Sequence, residues 1–221
     1  MRKQIVAVLA VVAVGTLCAS QVEAQSKSIG LGLRGGLNLS TVSWSPPPPG
    51  EEINSKTGFH AGVVVALDLH EFFGIEIDGL YTQQGFNSVS TGVDANLNGA
   101  YIQVPLLLKG RYPVGSSVAI RIMGGPAIEF EVGCTVSGTV SGIEASFDCD
   151  DPAVVVERKN TLWSLMFGGG LGINAGPATV FVDVLYDLGL TNLALDSPDE
   201  TVKSRTWMFS AGFSYPVAIL Q

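Results

Sequence analysis

The chain has 221 residues; 47% are hydrophobic, only 14% are charged, and the formal net charge is −8. Soluble domains carry about 25% charged residues, so the composition fits a water-facing globule poorly. The acidic balance, with no basic patch or nucleic-acid motif, excludes nucleic acid as a partner, because phosphate binding needs clustered Lys and Arg.

The chain opens with Arg2 and Lys3, followed by an uncharged, mostly apolar run over 5–19 and small or modest residues at Val22-Glu23-Ala24. That pattern predicts an export signal peptide over residues 1–24, cleaved after Ala24, and one domain over 25–221. The run is shorter than the roughly 18 residues of a membrane-spanning helix. Leu17, directly before Cys18, is bulky where lipoprotein processing wants a small residue. Later apolar runs are short and interrupted, as in Val63-Val64-Val65-Ala66-Leu67-Asp68. Membrane insertion would therefore require a closed β-barrel, the other fold that satisfies every backbone group in lipid.

From residue 28 onward the dominant signal is alternation with period 2, the mark of strands with two unlike faces. In the first strand Ile29, Leu31, Leu33, Leu37 and Leu39 oppose Gly30, Gly32, Arg34, Gly36 and Asn38. The second sets Phe59, Ala61, Val63, Val65 and Leu67 against His60, Gly62, Val64, Ala66 and Asp68. The third sets Phe73, Ile75, Ile77 and Tyr81 against Gly74, Glu76, Asp78 and Thr82, and the fourth Ile102, Val104, Leu106 and Leu108 against Gln103, Pro105, Lys109 and Arg111. In the fifth, Ile120, Ile122, Ile128 and Phe130 oppose Arg121, Gly125, Glu129 and Glu131. The sixth runs from Thr161, with Trp163, Leu165, Phe167 and Leu171 against Ser164, Gly168, Gly170 and Gly172. The seventh opposes Val180, Val182, Val184 and Tyr186 to Thr179, Asp183 and Asp187, and the eighth opposes Trp207, Phe209, Ala211, Phe213 and Tyr215 to Ser210, Gly212 and Ser214. Strands of about ten residues, tilted by about 45°, cross a bilayer core. The fold expected is all-β: an eight-stranded antiparallel up-and-down transmembrane β-barrel, apolar face to lipid, with glycine, hydroxyl and charged residues inside.

The connections alternate. Long segments at 41–57 (with Pro46, Pro47, Pro48 and Pro49), 87–98, 132–160 and 189–203 are separated by tight turns near 70–71, 113–117 and 174–177. Long loops outside and short turns in the periplasm are the asymmetry of outer-membrane barrels. Phe59, Tyr81, Tyr101, Phe130, Trp163, Tyr186 and Trp207 fall at the long-loop ends, and Phe72, Phe73, Tyr112, Phe213 and Tyr215 at the short-turn ends. Both sets sit where interfacial aromatic belts belong. Once Cys18 leaves with the signal, Cys134 and Cys149 remain, an even pair in an exported chain, and a disulfide is the expected outcome.

Four stretches carry a family resemblance. Gly32-Leu33-Arg34-Gly35-Gly36-Leu37-Asn38-Leu39-Ser40 resembles the first strand of the porin-family or PorT-like outer-membrane β-barrel proteins common in Bacteroidetes. Tyr101-Ile102-Gln103-Val104-Pro105-Leu106-Leu107-Leu108-Lys109 is similar to that family's fourth strand. Gly168-Gly169-Gly170-Leu171-Gly172 and Asp183-Val184-Leu185-Tyr186-Asp187-Leu188-Gly189 are similar to its sixth and seventh. The resemblance implies an outer-membrane barrel and little chemistry.

The polar set of most interest is the inward-facing charges: acidic Glu76, Asp78, Glu129, Glu131 and Asp183, and basic Arg34, Lys109, Arg111 and Arg121. An eight-stranded barrel is just wide enough for side chains to fill it, and inward glycines make room for long ones. The expectation is a closed lumen of mutually paired charges, since an unpaired buried charge costs several kcal/mol. Neither a GxSxG nor an HExxH motif occurs, and Gly168 to Gly172 lie on a strand rather than opening a helix. Neither catalytic residues nor a cofactor is expected. Asp148, Asp150 and Asp151 read as a solvated acidic loop rather than a calcium site. The function expected is that of a non-enzymatic outer-membrane protein with a structural or interaction role, its loops held outward for an unknown extracellular ligand. Its other partners are outer-membrane lipids and the machinery that inserts barrels. The alternatives are a narrow porin-like channel for small solutes, a membrane-embedded enzyme, and a soluble exported barrel with its apolar face inward.

Overall fold

A computed structural model describes residues 28–47, 50, 52–90, 93–140, 143–151, 159–193 and 200–217. The expected signal peptide and its cleavage point lie outside the described residues. Nine strands follow one another: β1 Ser28–Ser45, β2 Glu52–Asp68, β3 Phe73–Ser90, β4 Val93–Pro113, β5 Val118–Val140, β6 Ile143–Asp148, β7 Thr161–Ala175, β8 Ala178–Gly189 and β9 Thr201–Val217.

Eight of them form a ring. Each of β1 to β5 pairs antiparallel with the next, β7 joins β5, β8 joins β7, β9 joins β8, and β1 closes on β9 along Ile29↔Val217 to Ser45↔Thr201. The ninth, β6, stands outside the ring, paired only with the outer part of β5 from Thr135↔Asp148 to Val140↔Ile143. Closure removes the edges that lipid could not satisfy. A tight turn at Gly176-Pro177 joins β7 to β8, and Gly176 supplies the positive φ (63°) such a turn requires.

Orientation follows the side-chain period. Leu37, Leu106, Leu108 and Ile122 point away from the ring, with Leu108 71% and Ile122 63% exposed, while Arg34 and Glu76 on the opposite face are 2% and 1% exposed. That is the inside-out arrangement of a membrane barrel, and it overturns the soluble-barrel alternative. On β3 the two belts are marked by Phe73 and Tyr81, eight residues apart on the outward face; Tyr101, expected in the upper belt, instead has the inward parity of its β3 partner Thr82. At about 3.4 Å per residue and about 45° of tilt, the backbones of Phe73 and Tyr81 stand roughly 19 Å apart along the bilayer normal, within the ~25 Å apolar band of such barrels.

Two expected long loops are largely strand. The β3–β4 hairpin continues to Ser90↔Val93, and β4–β5 pairing continues to Val93↔Val140. These upper halves lack the apolar alternation because both of their faces are wet, so the hydrogen-bond ladder extends where the hydrophobic period has ended. From Phe130 to Val140 the chain rises about 30 Å along the strand beyond the belt. The Cys134–Cys149 disulfide (Cα–Cα 5.3 Å) closes the base of the β5–β6 hairpin, and Cys149 N–H donates to Cys134 O at 3.1 Å.

Candidate functional site

The lumen is organised in layers. Nearest the periplasm, Arg34 on β1 reaches both ways around the ring. Its Nη2 donates to Glu76 Oε1 at 2.8 Å and to Asp183 Oδ2 at 3.0 Å, and its Nη1 donates to Asp78 Oδ2. Arg121 on β5 completes the cluster, with Nη2 3.2 Å from Glu76 Oε2 and Nε 3.2 Å from Asp183 Oδ1. Beneath them the Phe181 ring is fully buried, and both guanidiniums stack on it, Arg121 at 4.2 Å and Arg34 at 5.1 Å from its centroid. Lys109 bonds Asp68 Oδ1 at 2.9 Å and lies 3.9 Å from Glu76 Oε2. Two cationic forks, three carboxylates and an aromatic ring thus fill this cross-section.

Glycines in the wall make these bridges reachable. Arg121 and Asp183 both lie opposite Gly170 on the intervening β7. A Cβ on Gly170 would stand 2.5 Å from Asp183 Oδ1 and 1.9 Å from the Val182 carbonyl. A side chain there would block the strand-skipping contact.

Above the ions lies an apolar layer of Leu80, Leu107, Met123, Ala127, Met166, Leu185 and Met208, nearly all fully buried. The lumen is therefore not the wholly polar core that the sequence pattern implied. At the β2–β1–β9 wall, His60 Nδ1 donates to Asn38 Oδ1 at 2.7 Å, and His60 Nε2 lies 2.9 Å from Ser210 Oγ. The Asn38 amide is oriented by donating to Thr82 Oγ1 at 2.8 Å and to the Gln83 carbonyl at 2.9 Å. His60 and Ser210 each lie opposite Gly36, which gives them contact across β1. A serine beside a histidine beside an amide is the order of a nucleophile relay. Here all three side chains are buried in the lumen, and the chain of bonds fastens three strands together.

The uppermost layer holds Glu129 and Asp187 with Gln84, Gln103, Ser164, Thr206 and Ser40. Gln103 Nε2 donates to Glu129 Oε1 at 3.0 Å and to Asp187 Oδ2. Gln84 Nε2 donates to Glu129 Oε2 at 3.3 Å, and Thr206 Oγ1 to Gln84 Oε1 at 3.2 Å.

The structure thus brings Arg34, Glu76, Asp78, Lys109, Arg121 and Asp183 into one cluster. Three other expected members stand elsewhere. Arg111 has the inward parity and lies opposite Arg121 on β5, but its side chain turns to the periplasmic rim, where its Nη2 donates to Asn174 Oδ1 at 2.7 Å. Glu129 is inward and 1% exposed, yet forms no ion pair among the described residues, because the apolar layer separates it from every arginine of the lower cluster. Glu131 is half-buried, two residues further out on β5. Sequence reasoning missed the roles of Asp68, Gln103, Asp187 and the His60–Ser210 contact. Inward parity signalled each of them; only the ring closure reveals the partner. Among the described residues no three His, Cys, Asp or Glu side chains converge as a metal site.

A closed eight-stranded ring with an apolar exterior, aromatic belts and a polar interior defines an outer-membrane barrel. Residues 20–195 match the outer membrane protein beta-barrel domain model, and the chain belongs to that family; its place is the outer membrane. No curated protein matches the chain. Solved structures similar to it include Ail, the attachment invasion locus protein of Yersinia pestis, at 16% identity and TM-score 0.43, with 86% of this chain and 100% of that one covered. OprG from Pseudomonas aeruginosa is similar at 14% identity and TM-score 0.48, with 86% and 98% covered. The outer membrane protease OmpT from Escherichia coli is similar at 9% identity and TM-score 0.41, with 90% and 100% covered.

Proposed function

We propose that this outer-membrane protein is non-enzymatic: a closed barrel that anchors an extracellular sheet and loops for contact with a partner outside the cell, and that contributes to envelope integrity. The observation that carries the reading is the filled cross-section at Arg34, Arg121, Glu76, Asp78, Asp183 and Phe181, each at most 5% exposed. A solute crossing there would have to break several buried ion pairs at once, which is prohibitive in a low-dielectric interior. Support for a contact role comes from the β3–β4–β5–β6 sheet, which continues beyond the belt and carries the disulfide at the base of its last hairpin. Surrounding lipids and the barrel-insertion machinery are the other partners of this reading.

The test is conductance. Purified, heat-modifiable protein in planar bilayers is expected to give no stable steps above the lipid background. Large, stable steps would overturn the closed-barrel reading in favour of a narrow channel for small solutes.

A further inference from the structure

Among the described residues, no basic side chain pairs with the two buried carboxyl groups in the extracellular layer of the lumen. Glu129 and Asp187 face each other, 1% and 2% exposed. Their hydrogen-bond donors are all neutral: Gln103 Nε2, Gln84 Nε2 and Ser164 Oγ, the last at 3.3 Å from Glu129 Oε1. The basic residues of the lower layer are engaged with Asp68, Glu76, Asp78 and Asp183, and the Leu80–Leu107–Met166–Leu185 layer lies between. Two oxygens of the same side chains, Asp187 Oδ1 and Gln103 Oε1, are buried and accept no hydrogen bond.

Two buried carboxyl groups that meet each other, with orphaned acceptors beside them, require a neutraliser, either a shared proton or a cation. A donor set made wholly of oxygen, with two carboxylates, an amide and a hydroxyl, matches a hard divalent cation in charge and in ligand type. The Gln103 amide can place its one oxygen at the site. Exchanging its nitrogen and oxygen, which are assigned by hydrogen bonding alone, turns the atom now 3.0 Å from Glu129 Oε1 into a further ligand. Calcium accepts six to eight oxygens in irregular geometry, whereas magnesium insists on a near-ideal octahedron and keeps its waters. We propose that Glu129, Asp187, Gln103 and Ser164 bind one calcium-sized divalent cation inside the extracellular half of the barrel, linking β4, β5, β7 and β8. Gln84, 8% exposed, stands at the outer side of the site.

The experiment uses the mature chain refolded in detergent, free of lipopolysaccharide and stripped with EDTA. Calcium chloride is titrated calorimetrically, and thermal unfolding is followed with and without the ion. One ion per chain and a raised unfolding midpoint are expected. Glu129→Gln with Asp187→Asn should abolish both effects. Gln103→Leu, which removes a ligand but keeps both charges, should weaken uptake by about tenfold or more. Replacing Asp148, Asp150 and Asp151 by Asn should leave uptake unchanged. No uptake by the wild-type chain at millimolar calcium, the result expected if protons neutralise the pair, overturns the proposal. So does uptake that survives in the double variant or in Gln103→Leu, or that disappears in the acidic-loop variant.

Discussion

Arg34 Nη2 lies 3.0 Å from Asp183 Oδ2, joining β1 to β8 over the strand between them. On its other side the same guanidinium reaches Glu76 and Asp78 on β3, over β2. One side chain thus joins three strands, β8, β1 and β3, across a span of five in the ring. Removing it would leave three buried carboxylates short of a shared counter-ion. Arg34→Ala is therefore expected to destabilise the barrel by about 3–5 kcal/mol, the range for breaking a buried ion cluster by deleting one partner. Lys109→Ala, whose nearest partner Asp68 has a side chain 39% exposed and whose contact with Glu76 is long, 3.9 Å, should cost less, about 1–2 kcal/mol. Urea unfolding in lipid vesicles, read by tryptophan fluorescence, checks both values. Equal losses for the two variants would mean that the Arg34 cluster is not the brace described.

The lipid face makes a depth-dependent prediction. Leu106 points outward beside Ile77, midway between Phe73 and Tyr81 on β3, whereas Phe73 sits at the periplasmic end of that strand. A cation at the midplane of a barrel costs about 2–4 kcal/mol and one near the interface about 0–1. Leu106→Arg should thus be markedly worse than Phe73→Arg in vesicle refolding equilibria. Comparable values for the two would contradict the placement of the belts.

The disulfide belongs to the projecting sheet rather than to the membrane ring. Closing a loop of 15 residues stabilises by about 3 kcal/mol on the chain-entropy model. Because β6 pairs only with β5 beyond Cys134, that stabilisation should be local. Cys134→Ser with Cys149→Ser is expected to leave the heat-modifiable migration of the barrel intact. Amide exchange should rise across Val136 to Phe147. Loss of the heat shift would show that the hairpin and the ring unfold as one unit.

Much of this was legible in the alternating sequence, and the exceptions have physical causes. The inward glycines opposite Arg and Asp could be read directly, because a strand facing lipid on one side leaves no other use for a bare position on the wet side. Leu80, Leu107 and Leu185 were hidden. Each sits inside a continuous apolar run (Leu106-Leu107-Leu108 is one), where a period of 2 cannot be seen although the pleat still sends alternate residues inward. Parity likewise gave Arg111 and Glu129 the correct face but not their height or their neighbours. Those depend on strand register around a closed ring, which no single strand encodes. The upper strands of the extracellular sheet contact water on both faces, so no apolar alternation marks them as strand.

The glycines provide the last test, because their positions in the wall make opposite predictions. At Gly170 a Cβ would meet the Val182 carbonyl at 1.9 Å and Asp183 Oδ1 at 2.5 Å. A backbone carbonyl cannot give way as a flexible side chain can. Gly170→Ala should therefore push β7 from β8, break the Arg121–Asp183 contact, and cost about 1–3 kcal/mol as an overpacked site. At Gly35, on the lipid side of β1, the nearest atom is the His60 carbonyl oxygen at 3.5 Å, an ordinary contact. Gly35→Ala should change stability by no more than about 0.5 kcal/mol, as surface substitutions do. Unfolding midpoints of the two single variants, measured in the same vesicles, separate the cases. If Gly170→Ala proved as neutral as Gly35→Ala, long side chains would not need bare positions in the wall in order to meet across a strand.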